Sequence, residues 1–203
     1  MPAINLKNKI NIFSGNSMKI KYKDIFEMDE FYDALKAWVE EHGWTDTFEG
    51  TTDENWETLY SEKIGRGGGR EIVIRWRLKR KPEYSEQIMF YLDLDFHTLA
   101  LSSTEVIHDG KKISADKGEI ELVINGFVET KYLEHLEQHS ILKYIKKLFV
   151  RKVYDPAPKI KELYQEVYGL QNYIKQWFKL KRYLPYEETK GFHPSYAYPP
   201  HQK

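Results

Sequence analysis

The chain contains no cysteine, which removes disulfides, thiolate nucleophiles and zinc–thiolate centres together. That absence suits a reducing compartment and predicts a cytoplasmic protein. Long apolar runs are missing too: none approaches the roughly 20 residues that a bilayer-crossing helix needs. Asn5, Lys7, Asn8, Lys9 and Asn11 interrupt the N-terminus, so it lacks the apolar centre of a signal peptide. Net charge is also absent, because 31 Lys and Arg balance 31 Asp and Glu over 203 residues. Dedicated nucleic-acid binders are usually strongly basic, so neutrality weighs against that class.

The zero sum conceals a segregation. Residues 24–62 carry thirteen carboxylates and a single basic side chain, Lys36, for a charge of −12. Residues 130–182 carry twelve Lys and Arg against five acids, for +7, and the first 23 residues add +5. Poles of this size face either each other inside one fold or partners outside it. Aromatic residues are abundant at 15%, with 15 Tyr and 5 Trp, enough both to fill a core and to anchor an interface.

Periodicity divides the chain into a leader at 1–18, a single domain at 19–182 and a Pro- and Tyr-rich tail at 183–203. Ile4, Leu6, Ile10, Ile12 and Phe13 offer a short strand within the leader. Phe31, Leu35, Trp38 and Val39 share one face of a helix over about 29–42, capped by Asp29 and closed by Gly43. From about 56 to 129 the period becomes two. Ile72, Ile74, Trp76 and Leu78 oppose Val73, Arg75, Arg77 and Lys79; Leu92, Leu94 and Phe96 oppose Asp93, Asp95 and His97; Ile120, Leu122 and Ile124 oppose Glu119 and Glu121. Turns are expected at Gly65–Gly69, Lys81–Tyr84, Asp109-Gly110 and Asp116-Lys117-Gly118. The helical period returns over about 130–182 as a pair of helices, the second carrying Ile160, Leu163, Val167, Leu170, Ile174 and Trp177 at heptad-like spacing. The predicted fold is α+β: an antiparallel meander of about four to six strands, an N-terminal helix and a C-terminal helical pair.

The chemistry-bearing clusters each have a plainer reading beside them. Asp93, Asp95 and His97 share a strand face, the residue types of a metal or general-base site. The short 81–86 connection places Arg75 and Arg77 across from Asp93 and Asp95, so a cross-strand charge lattice extended by Glu119 and Glu121 is the preferred expectation. His135 and His139 stand one helical turn apart, but the glutamate between them is misplaced for a zincin helix. Gly65–Arg70 lacks the Lys-Ser/Thr ending of a phosphate loop, leaving Arg66 and Arg70 as possible anion contacts at a hairpin tip. The acidic loop from Trp44 to Trp56 lacks EF-hand spacing. Lys143, Lys146, Lys147, Arg151 and Lys152, then Lys175, Trp177, Lys179 and Arg182, form a basic-aromatic series of the kind that holds phosphates and stacks bases.

The run Asp24-Ile25-Phe26 followed by Glu30-Phe31-Tyr32, with Ile74-Arg75-Trp76-Arg77, Leu94-Asp95-Phe96-His97-Thr98-Leu99 and Ala115-Asp116-Lys117-Gly118-Glu119-Ile120-Glu121, resembles a family of small archaeal proteins with no assigned function. The resemblance spans roughly 18–182. It implies an archaeal, intracellular protein and carries no activity, cofactor or site residue.

Three functions remain from the sequence. The first is a non-catalytic assembly module contacting protein subunits, its own copies included. The second is RNA or DNA binding through the basic C-terminal helices. The third is a metal-dependent hydrolase at the charged sheet face. No cofactor is expected.

Overall fold

A computed structural model describes residues 9–47, 57–83, 88–108, 111–130 and 155–180. The elements are β1 (Lys9–Asn11), β2 (Met18–Phe26), α1 (Met28–Glu41), β3 (Thr45–Asp46), β4 (Glu57–Ile64), β5 (Arg70–Arg80), β6 (Ile88–His108), β7 (Lys111–Thr130) and α2 (Ala157–Leu180). The expected first helix of the C-terminal pair, within 131–154, lies outside the described residues, as does the tail.

The sheet has seven strands rather than four to six, and every pairing is antiparallel. The difference arises at its edges. β1 and β2 both pair with β7, one after the other, and β3 and β4 both pair with β5. Each edge is thus one column broken in two, flanking the continuous meander β5–β6–β7. At the first break, the chain bulges outward through Ser14 (φ 54°) and Gly15 (φ 94°). Ile12 still donates its N–H to Gly126 O at 3.0 Å, which keeps the two pieces on one track.

β2 was not anticipated as a strand, although its alternation is regular: Ile20 is buried, while Lys19, Lys21 and Lys23 point to the other face. The turn expected at Asp116-Lys117-Gly118 is also corrected, because these residues sit inside β7. They lie opposite a β-bulge in β6, where the register shifts between Leu99 and Ser102 and Ala100 adopts φ 53°. Gly118 is required there by proximity: a Cβ would stand 2.9 Å from Leu101 Cα and 3.1 Å from Leu99 O. The Gly65–Gly69 hairpin tip is as expected, closed by Gly65 N–H to Gly69 O at 2.8 Å.

Both helices cover one sheet face. α1 buries Met28, Phe31, Leu35, Trp38 and Val39. Asp29 lies in its first turn rather than capping it, the N-cap being Glu27 without a side-chain bond. Gly43 takes φ 70° just past its end, as expected. α2 starts where Asp155 Oδ1 accepts the Ala157 N–H at 3.0 Å. Its heptad-like residues Leu163, Val167, Leu170, Ile174 and Trp177 are buried in this core with Ile120, Leu122, Ile124, Phe90 and Phe96. The spacing therefore reports packing on a sheet and a neighbouring helix. Phe31 meets Trp177 at 5.0 Å and Phe178 at 4.7 Å, and Tyr173 donates its hydroxyl to Ala34 O at 3.1 Å. Trp44, just past α1, donates Nε1–H to Glu166 at 2.8 Å. Advancing along α1 therefore means retreating along α2, and the two helices run antiparallel. No described helix is long and apolar enough to cross a membrane.

Candidate functional site

The two layers of the molecule present two different polar surfaces. On the sheet face away from the helices, period-two alternation turns every second residue of β5, β6 and β7 away from the core, where most are half-buried. Register places Arg75 opposite Asp95 and Arg77 opposite Asp93, as the sequence predicts. Arg77 lies 3.5 Å from Asp93 Oδ2 and 2.7 Å from Asp95 Oδ1, and Arg75 lies 3.8 Å from the same Asp95 oxygen. The contact at Asp95 Oδ1 is an ion pair out of line for a hydrogen bond. His97 turns instead to Glu71, 2.9 Å from Nε2 to Oε1.

Glu119 and Glu121 join the lattice through a strand the sequence reading did not supply. Lys21 pairs with Glu119 at 2.6 Å and Lys19 with Glu121 at 3.7 Å, both from β2. The bond from Lys21 holds the Glu119 carboxyl below its ordinary pKa, and the bond to His97 does the same for Glu71. Asp93 goes the other way: burial raises its pKa, Asp95 adds to the rise, and Arg77 and Lys9 only partly offset it. Lys9 Nζ sits 3.2 Å over the Tyr91 ring, and burial lowers its own pKa. A divalent metal at Asp93 and Asp95 would have to displace guanidinium groups already in place. No group of three or more potential metal ligands occurs among the described residues.

The helical layer presents the second surface. Exposed Asp29, Asp33, Glu40 and Glu41 line the outer side of α1, whose last turn has no basic residue. Carboxylates at a helix C-terminus oppose the macrodipole, so Glu40 and Glu41 cost stability there. On α2, exposed Lys161, Tyr164, Tyr168, Asn172, Lys175 and Lys179 recur at three- and four-residue steps, forming one stripe about 27 Å long. The tyrosines are 43% and 49% exposed, an unusual state for large rings on a helix whose opposite face is fully buried. Sequence reasoning missed Tyr164 and Tyr168 because attention fell on the apolar spacing; the complementary positions of the same helical wheel held the signal. Gly169, in the middle of α2 and exposed, has nothing within 4 Å of where its Cβ would lie.

The other basic-aromatic candidates separate. Trp177 is only 8% exposed and packs on Phe31, so it is a core residue and not a stacking platform. Lys175 and Lys179 remain on the surface. Lys143, Lys146, Lys147, Arg151, Lys152 and Arg182, with His135 and His139, lie outside the described residues. Arg70 is engaged by Asp116 at 2.8 Å and Glu62 at 3.8 Å, which occupies it as an anion contact, while Arg66 stays exposed at the tip. Trp44 of the acidic loop is buried, so that end of the loop belongs to the core. A shallow cavity of about 220 Å³ at the start of α1 is lined by Met28, Asp29, Tyr32, Glu57, Tyr60, Ile72 and Ile74. Its polar centre is already satisfied, with Tyr32 donating to Glu57 at 2.6 Å.

No protein-family model, no curated protein and no solved structure matches the chain.

Proposed function

We propose that this chain is a non-catalytic assembly module, contacting protein subunits through charge-segregated, aromatic-bearing surfaces. The observation that carries the reading is the division of the helical layer. Asp29, Asp33 and Glu41 of α1 and Lys161, Lys175 and Lys179 of α2 are exposed and form no ion pair with any other described residue. Two carboxylates of residues 24–62 form ion pairs with local partners, Glu40 with Lys36 and Glu62 with Arg70. Exposed charges that form no ion pair with a described residue are available to another chain.

The Tyr164–Tyr168 stripe supports a second reading, single-stranded RNA or DNA, since exposed rings between lysines stack bases and hold phosphates. The acidic outer side of α1 belongs to the same helical layer as that stripe and repels phosphates. A metal-dependent hydrolase at Asp93, Asp95 and His97 has the least support, because Arg75, Arg77 and Glu71 already hold those side chains.

The test is the solution mass by light scattering at low and high salt, with the ratio of absorbance at 260 and 280 nm. The assembly reading expects a multiple of 24.2 kDa that dissociates as salt rises, with a protein-like ratio. A monomer carrying salt-labile 260 nm material would replace it with the nucleic-acid reading.

A further inference from the structure

The helical layer is complementary to itself, which makes a second copy of this chain the partner that it fits. α1 presents carboxylates, α2 presents lysines and tyrosines, and the two run antiparallel side by side on the same sheet face. Two such layers can meet face to face about a two-fold axis in only two simple ways. An axis across the helices sets α1 on α1 and α2 on α2, like charge on like. An axis along the helices sets each α1 on the other copy's α2, acid on base. We propose that two copies of this chain associate in the second arrangement, through the outer faces of α1 and α2. The proposal rests on the assembly reading and specifies its partner and surface.

The register follows from contacts within one chain, because a two-fold along the helices preserves height. Phe31 is level with Phe178, Ala34 with Tyr173, and Trp44 with Glu166. Asp33 of one copy therefore comes level with Lys175 and Lys179 of the other, with Asp29 one turn further out beside Lys179. Glu40 and Glu41 come level with Tyr168, whose hydroxyl can donate to a carboxylate. Ala37 and Gly169 are both exposed on the outer side of this layer. A glycine inside a 24-residue helix costs about 1 kcal/mol relative to alanine, and here no described residue lies within 4 Å of where its Cβ would stand to explain it. Close approach of a second helix gives it a reason.

The experiment is charge-swap complementation on the full chain, read as mass by light scattering and sedimentation. Asp33→Lys and Lys175→Asp are both surface changes, and circular dichroism establishes that each variant folds. The parent is expected to be a dimer, and each variant alone at least tenfold weaker in association. Mixed in equal amounts, the two variants are expected to form a heterodimer, since lysine at 33 then faces aspartate at 175 and the untouched pair faces itself. Gly169→Gln is expected to weaken the dimer as well, without destabilising the fold. A parent dimer that both variants leave unchanged overturns this interface while the assembly reading stands. Open multimers in place of a dimer would also overturn it, by pointing to a head-to-tail contact. A parent that is a monomer at every concentration and salt overturns the interface and the self-assembly reading together.

Discussion

Two glycines inside regular elements show how one residue type meets opposite demands. Gly118 faces the bulge of β6, and its alanine variant would press a Cβ to 2.9 Å from a backbone carbon that cannot yield. We expect Gly118→Ala to lose about 1–3 kcal/mol in urea unfolding, and an unchanged midpoint would show that the bulge can open. Gly169 has free space, so Gly169→Ala should gain up to about 1 kcal/mol where the chain is monomeric. A loss in high salt would contradict its placement on an open helix face.

Arg80 and Glu166 form a polar junction between β5 and α2. The Arg80 guanidinium bonds Glu166 and donates to His42 O at 2.8 Å, and Trp44 Nε1–H reaches Glu166 at 2.8 Å. With the pair's side chains 22% and 13% exposed, Glu166→Ala strands a charge and an indole N–H in a half-buried place. The expected cost is about 3 kcal/mol, larger than for the paired removal Arg80→Met with Glu166→Leu. Equal costs would mean that the junction is solvated. Asp93 yields a pH prediction. Its pKa is raised above 3.8 by burial, so between 3.8 and the raised value the folded state binds more protons than the unfolded chain. Stability from this group therefore falls as pH rises through that window. Asp93→Asn should be more stable than the parent at neutral pH, the gap closing on acidification; a gap that widens on acidification would contradict the sign.

Among the elements, β6 and β7 extend past their neighbours. β5 pairing ends at Leu101 and β2 pairing at Asp116, leaving 102–108 and 111–115 as a two-stranded arm. Two-stranded ribbons are marginal in water, so hydrogen exchange should be faster in the arm than in 88–99 and 119–130. Equal protection would require the arm to be braced along its edges. The same elements show what the sequence conveys. The meander and both described helices were legible because each buries one regular face: Ile72 to Leu78 at period two, Leu163 to Trp177 at helical period. The lattice of Arg75, Arg77, Asp93 and Asp95 was legible because a short loop fixes register. β2 was missed through three lysines on its outer face, and the false turn at 116–118 came from reading Asp-Lys-Gly as a reversal. The Gly of that triplet answers a bulge 17 residues earlier in the chain, at Leu101, which no local pattern reveals. The α2 stripe was hidden because its residues are defined by what they do not bury.

For the whole molecule, a net charge of zero coexists, among the described residues, with exposed carboxylates on α1 and exposed lysines on α2, the sheet and the helical layer being joined electrostatically at Arg80 and Glu166. The sheet pairs its own acids and bases across strands, through Lys19, Lys21, Arg75 and Arg77. In the helical layer the described pairs are Lys36 with Glu40, Lys159 with Glu162 and Arg80 with Glu166, which leaves Asp29, Asp33, Glu41, Lys161, Lys175 and Lys179 exposed outside them, and Glu40 and Glu41 sit at the helix end that disfavours them. In the dimer we propose, a second copy would offer these exposed groups the opposite charge at the matching height.

The measurement that tests this most directly is the dimer dissociation constant by sedimentation, from about 0.05 M to about 1 M salt, where screening shortens from over 10 Å to about 3 Å. The account predicts a dimer that weakens steadily across that range, with the dependence reduced when Asp29, Asp33, Glu40 and Glu41 are neutralised. A 24.2 kDa monomer throughout, or a dimer indifferent to salt, would contradict it.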